Sequence, residues 1–337
     1  MERRPFLIRG LAAWAGLGTL GTAWAQARAG ASPTADDPWL DETWHDAARS
    51  RELPVRVRWP EGSGPCALVV HSHGLGGNRE GADAWGRAWR RAGFAVLHVQ
   101  HPGSDTDTLR RGLRALRGAA SAEQLIARAA DMRFVLDELE RRARAGGSPW
   151  SRVRLDAIGA SGHSFGAQTV LAVAGKRFPV RAAPDFVEPR LRAFVAFSPA
   201  LGREDRQTPA EQFGATDRPM LLLTGSLDGD PLNKAFTGED RARVYDGLPA
   251  GRGTRALLWL DGADHMTFGG NAARPLAARR GPLKREAVAV EREPAHHALI
   301  AQTTTLWWRA RLLGDATAAA ALRAPQGLAP GDRWRSD

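Results

Sequence analysis

Six largely apolar runs of strand length, separated by stretches of helical period, limit this chain to a narrow choice of architectures. The runs are Ala67 to His71, Phe94 to Val99, Leu155 to Ala160, Ala193 to Phe197, Met220 to Thr224 and Ala256 to Leu260. A strand apolar on both sides must be covered on both faces, which is the habit of parallel sheets. The intervening segments supply the covers. Asp83 to Arg91 reads as a helix with Asp83 at its N-cap, and Trp85 and Trp89 at i, i+4 are expected in the core rather than as a substrate platform. From Ser121 to Arg144 the apolar residues Leu125, Ala129, Met132, Leu136 and Leu139 form one stripe along a long helix. The last helix is expected over about Ala295 to Leu313, and Val55 to Trp59 alternates as a half-exposed edge strand would. This alternation predicts an α/β fold: a mostly parallel central sheet with helices on both faces.

The 337 residues, 43% hydrophobic and 25% charged, suit either two domains or one large one. No internal repeat appears, so a single domain over 51–320 is expected, with a polar approach segment at 26–50 and a tail at 321–337. One cysteine, Cys66, excludes an internal disulfide framework and a multi-thiolate zinc site. The formal charge is +10, but the basic residues are dispersed and only Lys176, Lys234 and Lys284 are lysines. Without a reader motif this charge gives no nucleic-acid partner.

The first 25 residues read as an address. Arg3-Arg4 precedes an apolar stretch from Leu11 to Ala23, and Ala23-Trp24-Ala25 is a small-x-small cleavage site. The apolar stretch is shorter than the about 20 residues a spanning helix needs, so no stable membrane anchor is expected. The pair resembles a Tat signal, which implies export to the periplasm or medium and a mature chain starting near Gln26.

In open sheets of this kind, sites form where the carboxyl ends of the strands release their loops. Gly162-His163-Ser164-Phe165-Gly166 matches G-x-S-x-G, a weak pattern alone, but here a strand leads in and the apolar helix from Gln168 to Val173 leads out. Such a turn exposes the serine hydroxyl at a helix N-terminus, and the flanking glycines avoid crowding. A serine needs a base, and the base needs an orienting acid. The later strand ends offer Gly225-Ser226-Leu227-Asp228 and Asp261-Gly262-Ala263-Asp264-His265. Asp228 and His265 are the candidates; Asp230 rivals Asp228 in the same loop, while Asp264, adjacent to His265, should point elsewhere. An oxyanion hole would take the Phe165 N–H and, from the glycine-rich loop Ser72-His73-Gly74-Leu75-Gly76-Gly77, the Leu75 N–H. His73, His101 and His163 are pocket or support candidates, and His98 could line the pocket. His71 and His73 have H-x-H spacing but lack a recognisable further ligand, so neither a metal nor another cofactor is expected. Insertions over Gly103 to Ala120, Pro179 to Arg190 and Thr267 to Pro294 would overhang the site. Arg110, Arg111, Arg114 and Arg117, with Arg279, Arg280, Lys284 and Arg285, suggest a positive lip.

Taken together, Ser72-His73-Gly74-Leu75-Gly76, Gly162 to Gly166, Gly225 to Asp228 and Asp264-His265 resemble the α/β-hydrolase superfamily. More closely, they look like its bacterial branch related to platelet-activating-factor acetylhydrolases and dienelactone hydrolases, over roughly Val55 to Leu313. The resemblance implies a serine esterase that takes a small-molecule or lipid-like ester and uses a Ser164–Asp228–His265 triad. Dienelactone hydrolases proper carry a cysteine nucleophile, so Ser164 favours simple carboxylic esters. Amide, lactone or phospholipid acetyl hydrolysis, or binding without turnover, remain open at this level.

Overall fold

The computed structural model describes residues 37–178, 185–201, 208–229, 236–251, 253–271 and 285–337. The leader read at residues 1–25 lies outside them. The described residues form a nine-stranded mixed sheet. Its strands are β1 (Leu40–Asp46), β2 (Arg51–Arg58), β3 (Cys66–Ser72), β4 (Ala95–Val99), β5 (Val153–His163), β6 (Leu191–Phe197), β7 (Met220–Leu227), β8 (Arg255–Asp264) and β9 (Arg333–Ser336). The order across the sheet is β1-β2-β4-β3-β5-β6-β7-β8-β9. β4 through β8 run parallel in the middle of the sheet, and β1, β2 and β9 are antiparallel additions at its two margins. All six apolar runs fall in the parallel centre.

The helices are α1 (Asp83–Arg91), α2 (Thr106–Arg110), α3 (Leu113–Ala119), α4 (Ala122–Ala145), α5 (Phe165–Ala174), α6 (Pro209–Phe213), α7 (Gly238–Gly247), α8 (Ala287–Leu312) and α9 (Ala316–Ala321). Alternate strand residues enter opposite cores. Leu68 and Val70 pack with Met132, Leu136, Val170 and Tyr245 of α4, α5 and α7. Ala67 and Val69 pack with Trp85, Trp89, Ile300, Trp307 and Trp308 of α1 and α8. Both tryptophans of α1 are therefore core residues. The helix begins at Asp83 after Ala82 in the left-handed conformation, so Asp83 is inside the first turn and not its cap. Among the described residues no helix is long and apolar enough to cross a membrane.

The margins differ from the expectation. Val55 to Trp59 is not an edge: β2 lies inside, between β1 and β4. Its charged alternation is buried and neutralised, with Arg56 on Asp41 (2.8 and 2.9 Å) and Arg58 on Asp37 and Asp83. Arginine alternating with valine here marks buried ion pairs instead of a wet face. The approach segment contains the true edge, β1, whose Asp41 and Glu42 put charge on the outer margin, a common guard against strand addition. The tail contains β9, paired with β8 from Ala256↔Ser336 to Trp259↔Arg333. Four residues, two of them arginine, were too short and polar to read as strand. Arg333 instead stacks on Trp259 and pairs with Glu239. The last helix starts at Ala287 and keeps Pro294 inside it, at the cost of one backbone hydrogen bond. The expected start, near Ala295, was therefore about two turns late.

Candidate active site

Ser164, Asp228 and His265 each occupy the first position after a parallel strand, at the carboxyl ends of β5, β7 and β8. Ser164 makes the turn into α5 with φ 57° and ψ −114°, a conformation a side-chain-bearing residue rarely adopts. The turn closes because its flanks carry no side chains. A Cβ on Gly162 would strike the Gly166 carbonyl, and one on Gly166 would strike the Ser72 carbonyl.

The three residues are joined by hydrogen bonds. The Ser164 hydroxyl donates to His265 Nε2 at 3.0 Å, and His265 Nδ1–H donates to Asp228 Oδ1 at 2.8 Å. These roles follow from the carboxylate, which can only accept. Asp228 is fully buried and held on every side: Thr224 Oγ1–H donates to its Oδ2 at 2.9 Å, and Arg241 Nε lies 3.0 Å from Oδ1 while bonding the Asp228 carbonyl at 2.6 Å. Asp230, the rival acid, lies outside the described residues.

His265 is braced through its own backbone and the loop behind it. His163 Nε2–H donates to the His265 carbonyl at 3.0 Å, and Trp85 Nε1–H donates to the Phe268 carbonyl at 3.1 Å. Asp264 points away from the His265 ring, taking hydrogen bonds from Thr267 N–H (2.9 Å) and Arg285 Nε (2.7 Å). Arg285 also pairs with Glu293 and is largely buried, so it buttresses this loop and is not part of a positive lip. Arg279, Arg280 and Lys284 lie outside the described residues, as does the side chain of Arg117. Arg110 and Arg114 are exposed, and Arg110 pairs with Asp107.

The expected oxyanion donors flank the serine. Phe165 is the first residue of α5, where an N–H has no carbonyl one turn back. The loop carrying Leu75 lies against Ser164: a Cβ on Gly74 would sit 3.5 Å from Ser164 Cβ. In that loop Gly76 N–H bonds the Ser104 carbonyl (2.8 Å) and Gly77 N–H the Gly74 carbonyl (3.0 Å), which ties its far end down.

The remaining histidines are hydrogen-bonded structural groups. His71 meets Ser161 Oγ, His98 meets the Gly81 carbonyl, His73 Nδ1–H donates to the Gly74 carbonyl, and His101 Nδ1–H donates to Asp131 at 2.9 Å. Among the described residues no cluster of three or more histidine, cysteine or acidic side chains is arranged to hold a metal. Burial, with the nearby Arg128 charge, pushes His71 down to about 3 and His101 to about 4. Burial also holds His73, His98 and His163 well below the ordinary imidazole range. The native protein therefore excludes protons that the unfolded chain binds below about pH 6.5. Stability should fall as pH drops from about 6.5 towards 4, each such ring adding up to about 1.4 kcal/mol per pH unit to the slope. Thermal unfolding across pH 4 to 8 tests this; a Tm unchanged between pH 7 and 5 would contradict it.

Two supports of the site escaped the sequence reading. Arg241 reaches Asp228 from α7, a contact no local pattern announces. Arg128 and Asp131 on α4 sit behind the Leu75 loop. Their positions, three and six residues after Leu125, fall on the buried face of that helix, which was the available signal. No protein-family model matches the chain, and no curated protein is significantly similar to it.

Proposed function

We propose that this protein is a serine hydrolase of the α/β-hydrolase fold, exported by its leader, that cleaves carboxylic esters through an acyl-enzyme on Ser164. One observation carries the reading: the unbroken hydrogen-bond chain from Ser164 through His265 to the buried Asp228, with the serine on a strained strand-to-helix turn. His265 accepts the hydroxyl proton while Ser164 Oγ attacks the ester carbonyl carbon. The Leu75 and Phe165 N–H groups receive the negative charge that develops on the carbonyl oxygen. As the tetrahedral species collapses, the C–O bond to the alcohol breaks and His265 delivers the proton to the leaving oxygen. Water then enters, is deprotonated by His265 in the same way, and releases the acid and the free serine. Asp228 keeps Nδ1 protonated throughout, so Nε2 always faces the reaction.

A two-step route of this kind predicts burst kinetics. With p-nitrophenyl acetate and longer acyl homologues, the first turnover should release about one equivalent of p-nitrophenol per enzyme, wherever deacylation is the slower step. Quenched-flow mixing measures it. Absence of both burst and steady turnover across the ester series would remove the ester reading.

A further inference from the structure

A second serine–histidine–aspartate chain starts at Ser72, whose carbonyl lies against Gly166 in the turn that carries Ser164. Ser72 Oγ–H donates to His101 Nε2 at 3.0 Å, and His101 Nδ1–H donates to Asp131 Oδ2 at 2.9 Å. Its accessibility is opposite to that of the candidate site. Ser72, His101 and Asp131 are 0% exposed, whereas Ser164 and His265 retain 6% and 5%. No substrate reaches a sealed serine, so this chain does not turn over an ester. It ends instead on Arg128, whose Nη2 donates to Ser72 Oγ (3.3 Å) and to the His73 carbonyl. The same guanidinium lies over the Phe165 ring, 4.6 Å from its centre.

Arg128 thus touches both segments that carry the oxyanion donors, the loop leading to Leu75 and the first residue of α5. It is completely buried, and its Nε and Nη1 have no hydrogen-bond partner. Among the described residues no carboxylate forms an ion pair with it; Asp131, three residues on, is engaged by Arg49, Arg51 and His101. Burial pushes Arg128 down to about 9, which leaves it charged at neutral pH. A buried cation without a direct carboxylate partner is costly for folding, even with Asp131 and Asp105 near enough to favour its charge. Its location beside the two donors gives that cost a use, because a fixed positive charge in a low-dielectric wall favours a nearby anion.

We infer that Arg128 is a positioning residue of the oxyanion hole: it clamps the Leu75 loop against α5 and biases both N–H donors towards the charged tetrahedral state. The inference rests on the esterase reading above. Ser72, His101 and Asp131 hold the guanidinium's anchor in one protonation pattern. The histidine takes the serine proton's hydrogen bond, and the serine oxygen is left to accept from Arg128. Arg128 acts through the donors and does not touch the substrate.

The test compares wild type, Arg128→Met and Arg128→Lys in two assays, p-nitrophenyl acetate turnover and the second-order rate of labelling by a fluorophosphonate. Arg128→Met should lose about 10²-fold in kcat with KM within about twofold, and labelling should slow in parallel. Its Tm should stay within about 5 °C of wild type, since removing a costly buried charge offsets the lost hydrogen bonds to Ser72 Oγ and the His73 carbonyl. Arg128→Lys, with the charge but not the planar fork, should recover part of the rate, to within about tenfold of wild type. Wild-type kcat and labelling in a folded Arg128→Met overturn the inference and leave the esterase reading intact. A loss of rate matched by a larger fall in Tm and a rise in KM also overturns it, since that is the mark of a structural role. If Arg128→Met does not fold, Arg128→Lys decides alone, and an unchanged kcat and labelling rate overturn the inference. No labelling of the wild type refutes the esterase reading itself, and the inference with it.

Discussion

Replacing Ser164 by alanine is expected to lower kcat/KM for esters by about 10⁴-fold or more while leaving the protein folded. The hydroxyl is the one group in the site that can form the acyl bond, and its removal leaves His265 without a proton to take. Any residual rate would come from the oxyanion donors acting on water. Ser164→Gly separates chemistry from strain. It removes the same hydroxyl but also the Cβ that makes φ 57° unfavourable, so it should be equally inactive and about 1 kcal/mol more stable than Ser164→Ala. Urea unfolding of the pair, beside ester turnover, checks both halves. Equal stability of the two variants would mean that the turn is not strained in the way its dihedral angles indicate.

The second large effect concerns packing. In Gly166→Ala the new methyl would lie against the Ser72 carbonyl, with the His73 carbonyl next in line, and both are backbone atoms of the adjoining strand end. Neither can swing aside as a flexible side chain would. The variant should lose at least about 3 kcal/mol, and the displaced strand end should carry the Leu75 loop away from Ser164. Gly64→Ala is the control, since a Cβ there meets nothing within 4 Å and the residue lies outside the strands. Its denaturation midpoint should match wild type or exceed it slightly. A Gly166→Ala midpoint as high as that of Gly64→Ala would contradict the steric account of the turn.

The contrast between these residues and the margins of the sheet shows what the sequence could convey. Ser164, Asp228 and His265 were legible because each lies in the short turn that follows a largely apolar run, and a covered strand leaves a plain signal near its end. The long helix α4, read over Ser121 to Arg144, was legible to within a residue at each end, with Ser121 serving as its N-cap. β1 and β9 were not, because a short margin strand has only one neighbour and needs little apolar pattern; ion pairs and cation–π contacts such as Arg333 on Trp259 hold β9 instead. β2 misled for a related reason. Its arginines look solvated in sequence and are buried on aspartates up to 25 positions away. The same holds within the site. The triad follows from local motifs, but Arg241 and Arg128 act through partners 13 and 55 positions distant, and no spacing rule encodes such contacts.

The central claim is that Ser164 is activated by its two partners. The most direct measurement is the intact mass of the folded protein after treatment with a fluorophosphonate, with Ser164→Ala treated in parallel. A single adduct on the wild type that is absent from Ser164→Ala is the predicted result. An unmodified wild type, shown to be folded, would contradict the account: the Ser164–His265–Asp228 chain would then be an arrangement without nucleophilic power, and the protein a binder in a hydrolase-like frame.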